Sequence, residues 1–340
     1  MEEQIKKEAT PRKKEKKPHA PITPIREPAL PMLLAVVVFT VCLVALVINK
    51  FIYPFENELL SPIILQVIAL VIPAYLVIML AAEGNGMLTQ MKEIGFRALR
   101  AEYVFFILFS SLFASCLSLI LTLTLGGAYG ASAGVTLLGS FTAGESEHSA
   151  SIIYIILAYA VIPALAEEFL FRGVMLSRLE RVSFPFAALV STLISALSGF
   201  MLGGLIPSIF VSLIAIFVLY TTRSLWACVI LHFIFNIYRL FVESNVSAYF
   251  LSSVNTPLLI ITVLLALSVS ALLFFSESAR IFRKRAHAVA SREATSEERL
   301  SGIKSILEDI RSTITFKPTL IFSIIVLCEF VAIAVINYIV

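Results

Sequence analysis

The sequence predicts an all-α protein that crosses a membrane several times. Hydrophobic residues make up 59% of the 340 residues and charged residues only 14%, which is far more apolar than a soluble domain requires. Apolar stretches of about 18 residues or more recur along the chain, and a helix of that length crosses the roughly 30 Å hydrocarbon core of a bilayer. These stretches are continuous rather than alternating, which argues against a β-barrel.

The apolar stretches predict about nine transmembrane helices. A soluble protein or a nucleic-acid-binding protein is not expected from such a composition, and the lipid bilayer is the first predicted partner. The predicted spans are residues 31–53, 62–82, 103–125, 151–171, 185–203, 205–221, 225–242, 257–276 and 319–339.

Polar segments divide the chain into a tail, a membrane domain and an insert. Residues 1–28 are rich in lysine, arginine and proline and are expected to form a disordered basic tail. The helical membrane domain is expected over 29–276, followed by a cytosolic insert at 277–318 and a last transmembrane helix at 319–340. Within the insert, apolar residues recur at helical spacing over 295–314, which predicts an amphipathic helix.

The basic residues predict the orientation of the chain. They lie in the tail, in the insert and in alternate loops, one of which is expected to contain Arg172, Arg178 and Arg181. The remaining loops contain no lysine or arginine. The positive-inside rule therefore places the N-terminus in the cytosol and the C-terminus outside. The expected location is the plasma membrane, which in a bacterium is the inner (cytoplasmic) membrane.

Three charged residues interrupt the fourth predicted span, in the stretch AEEFLFRG. Lipid cannot solvate a carboxylate, so such charges usually face a polar interior and have a function. Glu168 and Arg172 are four residues apart and can pair on one helix face, whereas Glu167 points about 100° away from Glu168. Glu167 is thus free for general acid–base chemistry, at about 7 Å from the predicted end of its helix. A purely structural ion pair is the alternative for Glu168 and Arg172.

A second polar group lies on the seventh predicted span, in the stretch CVILHFIFNIYRL. His232 and Asn236 are four residues apart and share a helix face with Cys228 and Arg239. A membrane histidine can simply be hydrogen-bonded to a neighbouring helix. Because an asparagine and an arginine lie on the same face, a functional site is favoured here.

These two stretches resemble the motifs of a known family. EEFLFRG is similar to the EExxxR motif of the CPBP family, the CAAX prenyl proteases and bacteriocin-processing enzymes also called the Abi family. SLWACVILHFIFN resembles the closing HxxxN motif of that family. The resemblance covers about 151–242, and the order and spacing of the two motifs agree with the family pattern.

The resemblance implies an intramembrane endopeptidase that acts near the cytosolic face on a peptide or a prenylated protein. It implies that Glu167 is the general base, with Glu168 as its companion and Arg172 holding the carboxylates. His232 and Asn236 would stabilise the tetrahedral intermediate or bind a metal. A divalent metal such as zinc is the implied cofactor, with Glu167 and His232 as its candidate ligands.

The chain departs from the family at the middle motif, FxxxH. The histidine of that motif falls on Gly199 in the preferred register and its phenylalanine on Ser195. Other registers place the histidine at Gly203 or Gly204, and no residue from 184 to 222 is a histidine. Two interpretations follow, a slow or unusual peptidase and a non-catalytic pseudoprotease that binds a membrane partner or lipidated peptide. A third hypothesis, independent of the missing histidine, is a transporter in which the buried charges line a path. The transporter is least favoured, because no internal repeat is visible.

Overall fold

The protein is all-helical wherever its structure is described, as the sequence predicts. The computed structural model shows no strand in the described residues, so the predicted fold class is confirmed. The described residues are 29–48, 63–64, 66–80, 87–129, 152–181, 183–198, 202–243, 256–289 and 317–339. Three predicted features, the tail at 1–28, the position of Gly199 and the amphipathic helix at 295–314, lie outside them.

The helices follow the apolar segments of the sequence. Several contain π-helical turns, in which the backbone hydrogen bond spans five residues instead of four. They are α1 (Ala29–Val47), α2 (Val67–Val71 as a π-helix and then Ile72–Leu80), the short α3 (Met87–Glu93), α4 (Val104–Tyr129, preceded by a 3₁₀ turn at Ala101–Tyr103), α5 (Ile152–Leu179), α6 (Phe184–Leu197), α7 (Leu202–Thr222), α8 (Leu225–Tyr238, continued as a π-helix over Arg239–Glu243), α9 (Thr256–Val289) and α10 (Lys317–Ile339).

Among the described helices, α4, α5, α7, α8 and α9 are long and apolar enough to cross a bilayer. Shorter apolar helices of 10–17 residues lie within α1, α2, α6 and α10. Each of the nine predicted spans therefore corresponds to one apolar helix. The chain is a multi-pass membrane protein, while the number of nine crossings and the cytosolic N-terminus stay predictions.

Helix α5 is longer than the sequence suggested. Its predicted end at residue 171 is wrong, because the helix continues to Leu179. Arg172 and Arg178 therefore lie in the helix rather than in a loop, and both are buried. Arg178 can stay there because its Nη2 donates a hydrogen bond to Oε1 of Gln90 at 3.0 Å. Glu167 consequently lies roughly 18 Å from the end of its helix, not 7 Å.

Helix α9 also passes the expected boundary of the membrane domain. It runs from Thr256 to Val289, so the segment expected to be an insert from residue 277 begins as a continuation of this helix. The side chain of Arg280 bonds Glu277 at 2.6 Å on this extension. The domain boundaries themselves stay predictions.

Two apolar clusters hold the bundle together. The first is built mainly from α1, α2, α5, α6 and α10, and the second from α4, α7, α8 and α9. Helix α5 of the first cluster packs against α8 of the second. Both predicted polar groups lie on these two helices, so the candidate site is located where the clusters meet.

Candidate active site

Local irregularities in α5 precede and follow the two glutamates. Pro163 has no backbone N–H, and the helix forms a π-turn at Leu157–Val161 just before it. A second π-helical segment, Phe169–Met175, starts immediately after Glu168. Such π-turns occur frequently at functional sites, and this one contains Arg172.

Glu168 and Arg172 form the ion pair that their spacing predicts. Nη1 of Arg172 lies 3.0 Å from Oε1 of Glu168, and both side chains are almost completely buried, at 3% and 1% exposed. A buried charge is tolerated only when it is paired, so each residue requires the other. Because Arg172 is buried, it does not extend to a polar surface as an arginine at a helix end would.

His232 of α8 joins the two glutamates of α5. Its Nδ1 lies 2.8 Å from Oε1 of Glu168, which is a short hydrogen bond, and its Nε2 lies 3.7 Å from Oε2 of Glu167. The paired carboxylate of Glu168 accepts, so Nδ1 carries the proton. When the imidazole is neutral, Nε2 therefore has its lone pair directed toward Glu167.

Glu167 is the more accessible of the two carboxylates. Its side chain is 15% exposed, against 1% for Glu168. The distance of 3.7 Å to His232 is too long for a direct hydrogen bond, and no hydrogen bond to Glu167 is found within the described residues. This carboxylate is therefore positioned near a histidine but is not bound by it.

Asn236 lies one turn after His232 on α8 and is buried, at 4% exposed. Its Nδ2 has no hydrogen-bond partner among the described residues, which is unusual for a buried amide donor. The structure thus links Glu167, Glu168, Arg172 and His232 by contacts, whereas Asn236 shares the α8 face of His232 but is not bonded to any of these four residues in the described part of the chain. An unused donor at this position can bind an oxygen atom of a ligand.

Ser195 of α6 belongs to the site, although the sequence did not identify it as a site residue. Its Oγ accepts a hydrogen bond from Nη1 of Arg172 at 3.1 Å. On the same helix, the hydroxyl of Ser191 donates to the carbonyl oxygen of Phe171 at 2.9 Å. Helix α6 is thereby fixed to the part of α5 that carries the arginine. Comparison with the FxxxH motif had drawn attention to Ser195, but only because it occupies the position of the phenylalanine of that motif.

The remaining polar residues of α8 point to other partners. The thiol of Cys228 lies 3.2 Å from the carbonyl oxygen of Ala215 on α7, so it is directed toward that helix. The guanidinium of Arg239 lies 5.7 Å from the ring centroid of Phe235. Of the predicted polar stripe, His232 is the residue that lies within 4 Å of both glutamates in the described part of the chain.

Gly173 allows α5 and α8 to approach closely beside the site. A Cβ atom at this position would lie 3.3 Å from Cδ2 of Leu225, the first residue of α8. At the same junction the amide of Leu225 donates to the carbonyl oxygen of Gly95 at 2.8 Å. Gly95 has a φ of +98°, which favours glycine. These contacts fix the start of the helix that carries His232.

The donors of the site do not fit a zinc ion. A protein zinc site uses three or four ligand side chains. Here Oε1 of Glu168 is bound to Arg172 and to Nδ1 of His232, which leaves Oε2 of Glu168, the carboxylate of Glu167 and Nε2 of His232 as donors without a hydrogen bond among the described residues. No group of three His, Cys, Asp or Glu side chains that could hold a metal is present in the described part of the chain.

Comparison with known proteins gives one family for the central part of the chain. Residues 149–238 match the family model described as type II CAAX prenyl endopeptidase Rce1-like. Comparisons with curated proteins and with solved structures gave no match. The matched segment contains the EExxxR-like and HxxxN-like motifs and also Ser195.

Proposed function

Because residues 149–238 match the model of the Rce1-like type II CAAX prenyl endopeptidases, we propose that this chain is an intramembrane endopeptidase of the CPBP type. The proposed substrate is a peptide or prenylated protein that reaches the site from the cytosolic side. The proposed location is the plasma membrane, which in a bacterium is the inner membrane. The observation that carries the proposal is the position of His232 between Glu167 and Glu168.

Glu168 and Arg172 orient the histidine in this proposal. The carboxylate of Glu168 accepts from Arg172 and from Nδ1 of His232 through the same oxygen, Oε1. This arrangement fixes the tautomer and the ring position of the histidine, as the carboxylate does in a catalytic triad. The nitrogen that faces Glu167 is therefore a hydrogen-bond acceptor.

A water molecule is the proposed nucleophile. Oε2 of Glu167 and Nε2 of His232 are 3.7 Å apart, so one water can donate a hydrogen bond to each of them. With both hydrogens engaged, the lone pair of this water is directed at a substrate carbonyl. Glu167 removes a proton as the water oxygen bonds to the carbonyl carbon, and it then donates that proton to the departing nitrogen.

Asn236 is proposed to stabilise the negative charge that forms on the carbonyl oxygen. Its buried Nδ2 has no partner among the described residues, so no hydrogen bond has to break when an oxyanion forms. A preorganised donor of this kind contributes about 3–4 kcal/mol to the stabilisation of a transition state. None of these steps passes through a metal, because the described donors do not fit one.

Hydrolysis of a prenylated CAAX-type peptide by the purified protein tests this function. The protein is compared with Glu167→Gln, which keeps the size of the side chain but cannot accept the proton. We expect cleavage by the parent and a loss of about 10²–10⁴-fold in the variant. The matched control is Glu277→Gln, on α9, whose carboxylate pairs with Arg280 and is expected not to affect the rate.

A non-catalytic pseudoprotease is the second candidate, and the absence of a histidine between residues 184 and 222 favours it. Such a protein would bind a lipidated peptide without cleaving it. Binding of the peptide with equal affinity by the parent and Glu167→Gln, together with no hydrolysis by either, would support this function. If the Gly199→His variant cleaves the peptide and the parent does not, the missing histidine is the reason for the parent's lack of hydrolysis.

A further inference from the structure

A carboxylate that the proposed mechanism does not use lies in α10, the last apolar helix. Glu329 is close to the middle of this helix, roughly 18 Å along its axis from Lys317 and roughly 15 Å from Ile339. Lys317 is the other charged residue in the sequence of α10. In the predicted crossing of α10, Glu329 therefore lies deep in the bilayer. Lipid cannot solvate a carboxylate, so this side chain requires a polar or charged partner.

Thr40 of α1 bonds to this carboxylate across the contact between α1 and α10. Its hydroxyl donates a hydrogen bond to Oε1 of Glu329. Within the described residues Glu329 forms no ion pair with a lysine or arginine, and the sequence of α1 contains no basic residue. A neutral hydroxyl does not balance a negative charge, so the carboxylate is left without a cation.

Oε1 is the oxygen of Glu329 that a neighbouring helix can approach. Oε2 is buried and has no hydrogen-bond partner among the described residues. Oε1 is bonded to Thr40, and Thr40 is itself exposed. A carboxylate oxygen has two lone pairs, so Oε1 can accept a second hydrogen bond while it keeps the one from Thr40.

Thr40 belongs to an exposed strip on α1. The strip consists of side chains three or four positions apart, which share one helix face: Leu33, Val37, Thr40 and Val44. A second exposed strip on α10 is entirely apolar: Ile321, Ile324, Leu327 and Val331. Glu329 is half-buried at the flank of this second strip. We call the two strips together with Glu329 the α1–α10 face.

The charge of Glu329 indicates which occupant the α1–α10 face fits. Ionisable side chains in membrane helices almost always face a protein interior or pair with another polar group. A purely apolar helix would cover both strips but would leave Glu329 without a cation. A helix with a basic residue at the same depth would cover the strips and supply that cation. Polar contacts of this kind hold membrane helices together.

From these contacts we propose that the α1–α10 face binds a transmembrane helix of a partner protein, one that carries a lysine or arginine near its middle. The basic side chain of the partner donates to Oε1 of Glu329, and Thr40 keeps the carboxylate in place. The proposal does not rest on the proposed peptidase function. The face lies outside the matched segment 149–238 and shares no residue with the candidate active site.

Two synthetic transmembrane helices test the proposal. Each consists of about 20 residues of leucine and alanine, and they differ only at the central residue, which is lysine in one and methionine in the other. Binding to the full chain in phosphatidylcholine vesicles is measured by Förster transfer between labelled peptide and labelled protein. We expect the lysine helix to bind at least about tenfold more tightly, because it alone can pair with the carboxylate.

Glu329→Gln keeps the size of the side chain and removes its charge, so it should reduce the preference for the lysine helix to about twofold or less. The matched control is Glu277→Gln on α9, whose carboxylate pairs with Arg280. It should keep the full preference. Equal binding of the two helices by the parent would overturn the proposal, and so would a full preference in Glu329→Gln. The comparison on the parent needs no variant to fold.

A second copy of this chain is the alternative occupant, and the same method distinguishes it. Förster transfer between two labelled copies is measured without peptide, for the parent and for Glu329→Gln. Self-association that is lost in Glu329→Gln would assign the α1–α10 face to a second copy and overturn the proposal. Equal self-association of both forms, together with the preference for the lysine helix, would support a partner helix.

Discussion

Nδ1 of His232 lies 2.8 Å from Oε1 of Glu168, although the two residues are 64 positions apart in the chain. This hydrogen bond joins α5 to α8 and determines which imidazole nitrogen faces Glu167. In the proposed mechanism Glu168 is therefore the group that orients the histidine.

Glu168→Gln should therefore reduce activity while the site stays assembled. An amide can present its N–H to Nδ1 and reverse the tautomer, so that Nε2 no longer accepts from the water. The loss of kcat should approach about 10⁴-fold, as for the carboxylate of a catalytic triad. A rate within threefold of the parent, measured on a prenylated peptide, would contradict this role.

Arg172→Gln should lower the stability of the protein. It leaves the buried carboxylate of Glu168 without its cation, which costs about 3–5 kcal/mol when one partner of a buried pair is removed. Thermal unfolding in detergent should show a clear fall in Tm. The matched control, Arg283→Gln, changes an exposed arginine on α9 and should leave Tm unchanged. Equal Tm values for the two variants would contradict the importance of the buried pair.

Asn236→Ala should act on the transition state rather than on substrate binding. Loss of one oxyanion donor lowers kcat by about 10²–10³-fold, with little change in KM. Steady-state kinetics separate the two effects. An increase in KM at constant kcat would instead assign Asn236 to ground-state binding of the peptide.

Gly173→Ala should destabilise the junction of α5 and α8. The added Cβ would lie 3.3 Å from Cδ2 of Leu225, and overpacking of this kind costs about 1–3 kcal/mol. Gly204→Ala on α7 is the matched control, because a Cβ there meets nothing within 4 Å. A lower Tm is expected for Gly173→Ala alone, and an unchanged Tm in both variants would refute the close contact.

Helical spacing was sufficient to predict the local geometry of the site. The separation of four residues placed Glu168 beside Arg172, and the ion pair confirms it. Spacing could not show that α5 and α8 meet, because contacts between distant helices depend on packing that no short pattern encodes. The resemblance to the CPBP family brought the two motifs together, and the match at 149–238 confirms that resemblance.

Other features were hidden because they depend on tertiary partners. Arg172 and Arg178 looked like loop residues, since a charged arginine usually ends a membrane span. Both are buried in α5, where Glu168 and Gln90 bind them. Ser195 could not be recognised as a site residue from the sequence, because one hydroxyl on an apolar helix has no distinctive spacing and its contact depends on Arg172 of another helix.

A double-mutant cycle on Glu167 and His232 tests most directly the claim that these two residues act together on one water. The value of kcat/KM is measured for the parent, Glu167→Gln, His232→Gln and the double variant. If both side chains orient the same water, either single change removes most of the activity, and the double variant should be within about tenfold of the weaker single variant. Losses that multiply in the double variant would show that the residues act independently and would contradict the proposed mechanism.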